Sequence, residues 1–507
     1  MGPRADGNKS YGYVSMFSRP PQGTSKEPEH TLSIAPQPFA SAGMLGEQIP
    51  HASCLERSCR RWILFFVALA AVAATWQVSQ AWPGWFFYDS AYQWKVAGRM
   101  ARDGPGVLLS ESTHWPMGPF FIRYLWLKAG LSFGAWAWTQ ALMLNLAIAF
   151  ALVTIGLRGL WALVASMFFW TNPIVANYAI FHSSDSPAAI AILVVFGMLA
   201  NRERYQLVGA CVLIVTLLLM CSLRYNAVSV VPVIAILTWY LRPTQGMNRY
   251  IVPLLILATP LVYSAAEELA SRRPASVLAP GILRRNLHLN ELQPTERAAE
   301  VLRSSRVPWP SPYTPLCLRT HWCHTGARGA MSKSIERINM DLYLWYWREY
   351  PSVAFSSLLS FLSYDLGFAA PLKEEELGHF YGVPSRLSSR GQIPKHLESN
   401  VGELHEATTR WYGIAARPWL HITGLIALIV VCRAVGRNDV VRFCGIALAM
   451  GCGLVLPLSL VSLTTELRYY FPAGMLMVVV ITGLIVRLFV ESCRLRTGIR
   501  KGGGLRC

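Results

Sequence analysis

Charged side chains stand at the ends of several long apolar segments of the sequence. Asp89 follows the first such segment, Asp185 lies between the third and the fourth, and Arg224 ends the fifth. Glu466 and Arg468 directly precede the last one. A carboxylate can accept the proton of an attacking hydroxyl group, and a guanidinium group can hold a phosphate through paired hydrogen bonds. These residue types predict a site that combines a general base with an anion clamp.

Histidine and tryptophan side chains accompany the charged ones. His114 and Trp115 follow Asp89 in the same interval between apolar segments, and His182 precedes Asp185 by three residues. We predict that all three contact a substrate, together with Arg224, Arg468 and Glu466, while Asp89 and Asp185 are catalytic.

Each of these residues also has a purely structural interpretation. Asp89 and Asp185 could cap the helices that follow them. Arg224 could extend from a helix end toward lipid headgroups, and Arg468 could form an ion pair with the nearby Glu466. A histidine at such a place could simply hydrogen-bond locally.

Composition identifies the kind of protein that must position these groups. The 507 residues are 53% hydrophobic and only 15% charged, with a mean hydropathy of +0.34. Soluble domains carry about 25% charged residues, whereas apolar blocks of about twenty residues are typical of helices that cross a bilayer. We therefore predict an all-α polytopic membrane protein with about ten transmembrane helices. The predicted spans are 62–81, 132–157, 159–181, 186–200, 206–223, 227–241, 249–266, 411–432, 443–463 and 469–490.

The net charge of +18 is distributed as expected for a membrane protein rather than for a protein that binds nucleic acid. Arginine and lysine residues gather at alternate ends of the predicted spans, which places both termini in the cytoplasm. The basic residues that define this side are Arg57, Arg60, Arg61, Arg158, Arg202, Arg204, Arg242, Arg249, Arg433, Arg437, Arg442, Arg487, Arg494, Arg496, Arg500, Lys501 and Arg506. For all of them to share one side, residues 267–410 must begin and end outside.

This topology predicts five regions. Residues 1–56 form a disordered cytoplasmic tail, and 57–266 form an N-terminal transmembrane catalytic module whose first outer loop, 82–131, holds an amphipathic helix near 90–102. A large periplasmic or extracellular loop region covers 267–410 and includes an apolar stretch, 352–370, that lies at the interface rather than crossing the bilayer. Transmembrane helices return at 411–490, and 491–507 form a basic cytoplasmic tail.

Cys317 and Cys323 are the cysteines that fall in a predicted outer loop. In an oxidising compartment their spacing suggests a small disulfide loop. His321 and His324 lie beside them, so a zinc site is an alternative, although the spacing matches no standard zinc finger.

Sugar transfer from a lipid-linked donor is the chemistry that best suits this set of residues. Outside the membrane no nucleotide sugar is available, so the donor must be a polyprenyl-phosphate sugar and the acceptor an envelope glycan or glycolipid. The arginines would hold the leaving phosphate and one carboxylate would accept the proton. The other carboxylate, Asp89 or Asp185, could hold a divalent metal ion or orient the sugar. No motif for a nucleotide or a zinc enzyme is present.

The layout of the chain resembles the GT-C superfamily of integral-membrane glycosyltransferases, which use lipid-phosphate-linked sugars. The resemblance extends over about 62–490 and is greatest to the arabinosyl- and mannosyl-type and O-antigen-modifying bacterial branches. It implies that Asp89 is the first-loop catalytic acid, that Asp185 is the second-loop acid, and that Arg224 and Arg468 bind phosphate. It also implies a multi-pass protein of the bacterial inner (plasma) membrane whose site faces the periplasm or the cell exterior.

Two details qualify this resemblance. The run His114–Trp115–Pro116 is similar to the first-loop His-Pro run of the family, but a tryptophan intervenes. Asp89 is followed by Ser90 rather than by the second acid of the mannosyltransferase branch, which leaves the metal and the sugar open.

Two other function classes compete with a glycosyltransferase. A lipid or polysaccharide transporter predicts internal repeats and charged or broken helices near the middle of the membrane. A non-catalytic membrane protein that assembles an envelope complex predicts that neutralising Asp89 changes no activity.

Overall fold

The computed structural model describes residues 50–80, 82–84, 88–110, 116–201, 207–241, 248–270, 279–305, 333–366, 417–457 and 470–496. Over these residues the chain is helical and forms no β-strand, which confirms the predicted all-α class. The region Leu55–Cys507 is one compact unit.

The N-terminal half contains eleven of the described α-helices and one 3₁₀ helix, Tyr225–Val230. The α-helices are α1 (Pro50–Ser79), α2 (Tyr88–Asp103), α3 (Val107–Ser110), α4 (Gly118–Lys128), α5 (Phe133–Thr154), α6 (Gly159–Trp170), α7 (Pro173–Ile180), α8 (Asp185–Ala200), α9 (Leu207–Leu223), α10 (Val231–Leu241) and α11 (Asn248–Ala270). Helix α1 thus begins inside the predicted tail 1–56, and α2 lies where the amphipathic helix of the first outer loop was expected.

The described helices of the second half are α12 (Ala279–Leu292), α13 (Glu296–Ser304), α14 (Lys333–Glu349), α15 (Pro351–Asp365), α16 (Pro418–Ala434), α17 (Asn438–Val455) and α18 (Phe471–Arg496). Helices α12 to α15 pack on one another around Leu289, Leu342 and Tyr346. The apolar stretch predicted at the interface, 352–370, coincides largely with α15.

Four described helical segments are long and apolar enough to cross a bilayer, namely Arg61–Ser79, Phe133–Thr154, Asn438–Val455 and Phe471–Arg494. Helices α6 and α7 give a fifth candidate if they form one span. The other predicted spans coincide with apolar helices of 10–17 residues. The structure therefore has four to five candidate spans in the part of the chain it describes, and the number ten stays a prediction.

The third predicted span is broken, which the apolar pattern did not indicate. Helices α6 and α7 meet at an angle of 70°. Between them, the side chain of Asn172 accepts a hydrogen bond of 3.0 Å from the Ile174 amide, and Pro173 occupies the first turn of α7. Asparagine is a favourable N-cap and proline suits the first helical position. The span predicted over 159–181 is therefore divided between two helices.

Amide side chains connect α1 to α5 inside the apolar core. Gln77 and Asn145 donate to each other's carbonyl oxygens at 3.3 and 3.2 Å, and Gln77 Nε2 also donates to the Trp170 carbonyl at 2.8 Å. The Trp170 indole returns a hydrogen bond of 3.1 Å to the Asn145 carbonyl. All three residues are buried, so these partners satisfy polar groups that water does not reach.

Charged side chains join three helices at one end of the bundle. Arg487 forms an ion pair with Asp439, contacts Glu491 at 2.9 Å, and donates to the Ile155 carbonyl at 2.9 Å. Arg437 contacts the other oxygen of Glu491 at 2.6 Å. The C-terminal ends of α5 and α18 and the start of α17 thus meet at one end, which we call the basic end. The arginine distribution predicts the same grouping.

Candidate functional site

Asp185 and Arg224 form a buried ion pair between Arg224 Nη1 and Asp185 Oδ1. The residues are 1% and 7% exposed, respectively. Asp185 is the first residue of α8, and Arg224 lies between α9 and the 3₁₀ helix. The structure thus brings together two of the predicted site residues. It excludes the interpretation that Arg224 extends to lipid headgroups, because its guanidinium group is turned inward.

Local sequence explains why Asp185 stands where it does. Its amide donates a hydrogen bond of 3.1 Å to Ser183 Oγ, and the Ser186 hydroxyl donates to the Tyr178 carbonyl at the end of α7. These two serines fold the short connection back on itself. A carboxylate in the first turn of a helix is further stabilised by the helix dipole.

His182 is held by protein partners at both ring nitrogens. The Trp94 indole N–H donates to Nδ1 at 3.1 Å, and Nε2 lies 3.0 Å from the Pro83 carbonyl oxygen. Nδ1 must therefore be the acceptor and Nε2 the donor, which defines a neutral ring. Burial, with a smaller contribution from the charge of Arg123, lowers the pKa of His182 to about 3, although the hydrogen bond to Pro83 acts in the opposite direction. Both ring nitrogens thus have protein partners, and the substrate contact of His182 stays a prediction.

Arg123 is a buried cation that the sequence interpretation missed. Its guanidinium group donates to the carbonyl oxygens of His182 at 2.7 Å and Pro119 at 3.0 Å. It also lies over the rings of Trp94 and Trp136, at 5.4 and 5.7 Å from their centroids. Burial lowers the pKa of Arg123 to about 9, so it remains charged at neutral pH. Arg123 therefore fastens α4 to the connection before Asp185.

Helices α2 and α4, which belong to the predicted first outer loop, contact residues close in sequence to the two members of the ion pair. Trp94 of α2 binds His182, three residues before Asp185. At the start of α4, a Cβ on Gly118 would lie 2.4 Å from the carbonyl oxygen of Ser222, two residues before Arg224. Asp89 occupies the first turn of α2. The predicted catalytic acids are therefore on elements that pack together through Trp94 and His182.

Gly84 makes the close approach between the end of the first span and His182 possible. Its φ of +105° lies in the left-handed region, and a Cβ there would meet His182 Nε2 at 2.6 Å and the Ile180 carbonyl oxygen at 2.7 Å. Only glycine satisfies both constraints without strain.

We expect Gly84→Ala to lower the free energy of unfolding more than Gly104→Ala does. Gly104 also has a positive φ, +95°, but a Cβ there would meet nothing within 4 Å. The backbone cost of about 1–3 kcal/mol is shared by both variants, whereas overpacking adds about 1–3 kcal/mol at Gly84 alone. Thermal unfolding of the purified chain in detergent measures the difference. Equal destabilisation of the two variants would contradict the packing described around His182.

Acid should destabilise the protein through His182. Its pKa is about 3 in the folded chain, against 6.5 ordinarily, so between these values the unfolded chain binds a proton that the folded chain does not. The free energy of unfolding therefore falls as pH is lowered from about 6.5 toward 3. His182→Gln should flatten this dependence.

Melting temperatures at a series of pH values test this prediction. His288 is the matched control, since burial and the neighbouring Arg285 and Arg284 lower its pKa to about 4. His288→Gln should remove a separate contribution to the pH dependence of the melting temperature. An unchanged slope in His182→Gln would show that the ring does not remain neutral in the folded chain.

A second buried pair lies at the start of α18. His421 Nδ1 and the Tyr470 hydroxyl are 2.7 Å apart, and the two rings stack with centroids 5.8 Å apart. This pair fixes the chain at the start of α18. The apolar pattern gave no signal for it.

The remaining predicted residues lie outside the described part of the chain. They are His114, Trp115, Glu466, Arg468, Cys317 and Cys323. The backbone of Asp89 is described, but its side chain is not. Within the described ranges, no group of three or more histidine, cysteine or acidic residues could hold a metal ion.

Comparisons with known proteins give no relative from which to transfer a function. Neither protein-family models, nor curated proteins, nor solved structures match this chain. Any functional conclusion must therefore be argued from the residues themselves.

Proposed function

We propose that this protein is a membrane glycosyltransferase. It would transfer a sugar from a polyprenyl-phosphate donor to an envelope glycan or glycolipid. The observation that carries the proposal is the buried ion pair of Asp185 and Arg224. Helices α2 and α4 contact His182 and Ser222, which lie close to the two charged residues in sequence. A buried guanidinium group already oriented by a carboxylate is suited to receive a phosphate, because its fork is preorganised.

The residues have distinct roles in this proposal. Asp89 accepts the proton of the acceptor hydroxyl as its oxygen bonds to the anomeric carbon. The bond between that carbon and the phosphate oxygen breaks, and polyprenyl phosphate leaves with the electron pair, stabilised by Arg224 and Arg468. Asp185 orients Arg224. A divalent ion on the phosphate would add to the same stabilisation.

The proposed topology has ten spans, with the basic end in the cytoplasm and residues 267–410 outside. It follows from the arginine distribution, and the ion pairs among Arg437, Asp439, Arg487 and Glu491 agree with it by placing the ends of α17 and α18 together. The site would then face the periplasm or the cell exterior.

Cysteine labelling in intact cells tests this orientation. In a chain whose native cysteines are replaced by serine, Phe380→Cys should react with an impermeant maleimide, whereas Arg433→Cys should react only after permeabilisation. The reverse pattern would refute the orientation and, with it, the outward-facing site.

A donor panel tests the function itself. The full chain in lipid nanodiscs would be incubated with polyprenyl-phosphate hexoses and pentoses, a crude envelope glycan acceptor, and either Mg²⁺ or EDTA. We expect one donor to be consumed with release of polyprenyl phosphate, and a difference between Mg²⁺ and EDTA would reveal a role for the ion. If a folded preparation consumes no donor in either condition, the proposal fails, and transport or envelope assembly becomes the better hypothesis.

A further inference from the structure

An open cavity lies between α13 and α14, far along the chain from the ion pair. Its volume is about 360 Å³ and it opens to solvent. It is lined by Arg297, Asp341, Leu344, Trp345 and Arg348, all of which except Trp345 are exposed. The last four of these residues follow the spacing i, i+3, i+4 and i+7, which places them on one face of α14. The volume is at the lower end of the range of small-ligand sites, roughly 300–1,000 Å³.

The frame around the cavity is fixed by buried contacts. The Tyr346 hydroxyl donates a hydrogen bond of 2.9 Å to the Gln293 carbonyl, which joins α14 to the turn before α13. Thr295 caps α13 by accepting from the Ala298 amide at 3.2 Å. Trp345 is held by T-shaped contacts with Tyr346 and Tyr350, at centroid distances of 5.1 and 5.5 Å. The cavity is thus built on rigid elements rather than on a loop.

The charged side chains of the cavity can still form hydrogen bonds with a ligand. Arg297 lies 4.9 Å from the centroid of the Trp345 ring. Within the described part of the chain, Arg297 and Asp341 form no hydrogen bond or ion pair, and Arg348 uses its Nε for Glu349 at 2.8 Å. Two guanidinium groups, one carboxylate and an indole ring therefore border a single space.

This combination selects among ligands. A bare phosphate would suit the arginines but would be repelled by Asp341. A neutral apolar ligand would remove water from these charged groups without offering them a hydrogen bond. A saccharide has hydroxyl groups that can donate to Asp341 and C–H faces that can pack on Trp345 and Leu344, and an acidic substituent would pair with the arginines.

We propose that this cavity binds an anionic saccharide. The identification of that saccharide as part of the acceptor glycan rests on the proposed function; the binding itself does not. The two arginines then favour acidic acceptors, and the cavity acts as a recognition site for the glycan.

Direct binding without any donor tests the proposal. The full chain carrying Asp89→Asn would be titrated in nanodiscs with a fluorescent hexamer of galacturonic acid, and with maltohexaose as the neutral match. We expect saturable binding of the acidic hexamer that Arg297→Gln and Arg348→Gln each weaken about tenfold, the scale of one charged hydrogen bond. Trp345→Ala should weaken binding of both hexamers, with its folding checked by thermal unfolding.

Arg303→Gln is the matched control, because Arg303 is an exposed arginine of α13 that does not line the cavity. Equal weakening by Arg303→Gln would reveal nonspecific attraction and overturn the proposal. Absent binding of the acidic hexamer would also overturn it, as would tighter binding of a third probe, uridine monophosphate. The two proposals fail separately, because binding is measured without catalysis. Saturable binding in a protein that consumes no donor would remove the glycosyltransferase assignment but retain the saccharide site.

Discussion

Asp89→Asn is expected to lower the rate of sugar transfer about a hundredfold or more, the scale of losing a general base. Asparagine keeps the size of the side chain and caps helices about as well as aspartate, so α2 should form normally. Only the ability to accept a proton is lost. Single-turnover kinetics with the donor found by the panel measures the effect, and donor affinity should remain close to that of the parent.

Asp103→Asn provides the control for Asp89→Asn. Asp103 ends the same helix and is exposed, so its neutralisation should leave the rate unchanged. If Asp89→Asn is fully active, Asp89 is not the general base and the mechanism is wrong.

The Asp185–Arg224 pair should give the largest stability effect. Removing one partner of a buried pair leaves an uncompensated charge and costs about 3–5 kcal/mol. Asp185→Asn and Arg224→Gln should therefore each lower the melting temperature strongly, and the double variant should recover most of the loss. Thermal unfolding in detergent gives the three values.

Activity separates the structural role of this pair from its functional one. The double variant should be stable yet inactive, because neutral amides do not hold the leaving phosphate. Neutralising the exposed pair of Arg348 and Glu349 should cost no more than about 1 kcal/mol. A double variant as unstable as the single variants would show that the ion pair does not account for their instability, and a fully active one would refute phosphate binding by Arg224.

The apolar pattern predicted which segments are helices much better than where those helices begin and end. All ten predicted spans overlap described helices. Helix α17 begins before its predicted span and α18 ends after its own, because Asp439 and Glu491 form ion pairs with arginines at the basic end and are tolerated inside these helices. Hydropathy alone contains no information about such partners.

The site was predictable only in part, for a similar reason. Asp185 and Arg224 were selected from the sequence because each is a charge at the edge of an apolar block. Arg123, Gly84 and Trp94 were missed, because their roles depend on contacts with His182, which lies 59 residues beyond Arg123. The pair Asn172–Pro173 was a usable signal for the break after α6, since it combines a cap with a proline.

The amide pair of Gln77 and Asn145 has a mechanical consequence for the first span. The membrane-length part of α1 is mostly exposed in the structure. An apolar helix in lipid without polar contacts could rotate about its axis or move along it at little cost in free energy. Two reciprocal hydrogen bonds in an apolar core oppose both movements, because either one would strand buried polar atoms. Gln77 thereby fixes the rotation of α1 about its axis and its position along that axis, and so the place where the chain continues to Gly84 and Asp89.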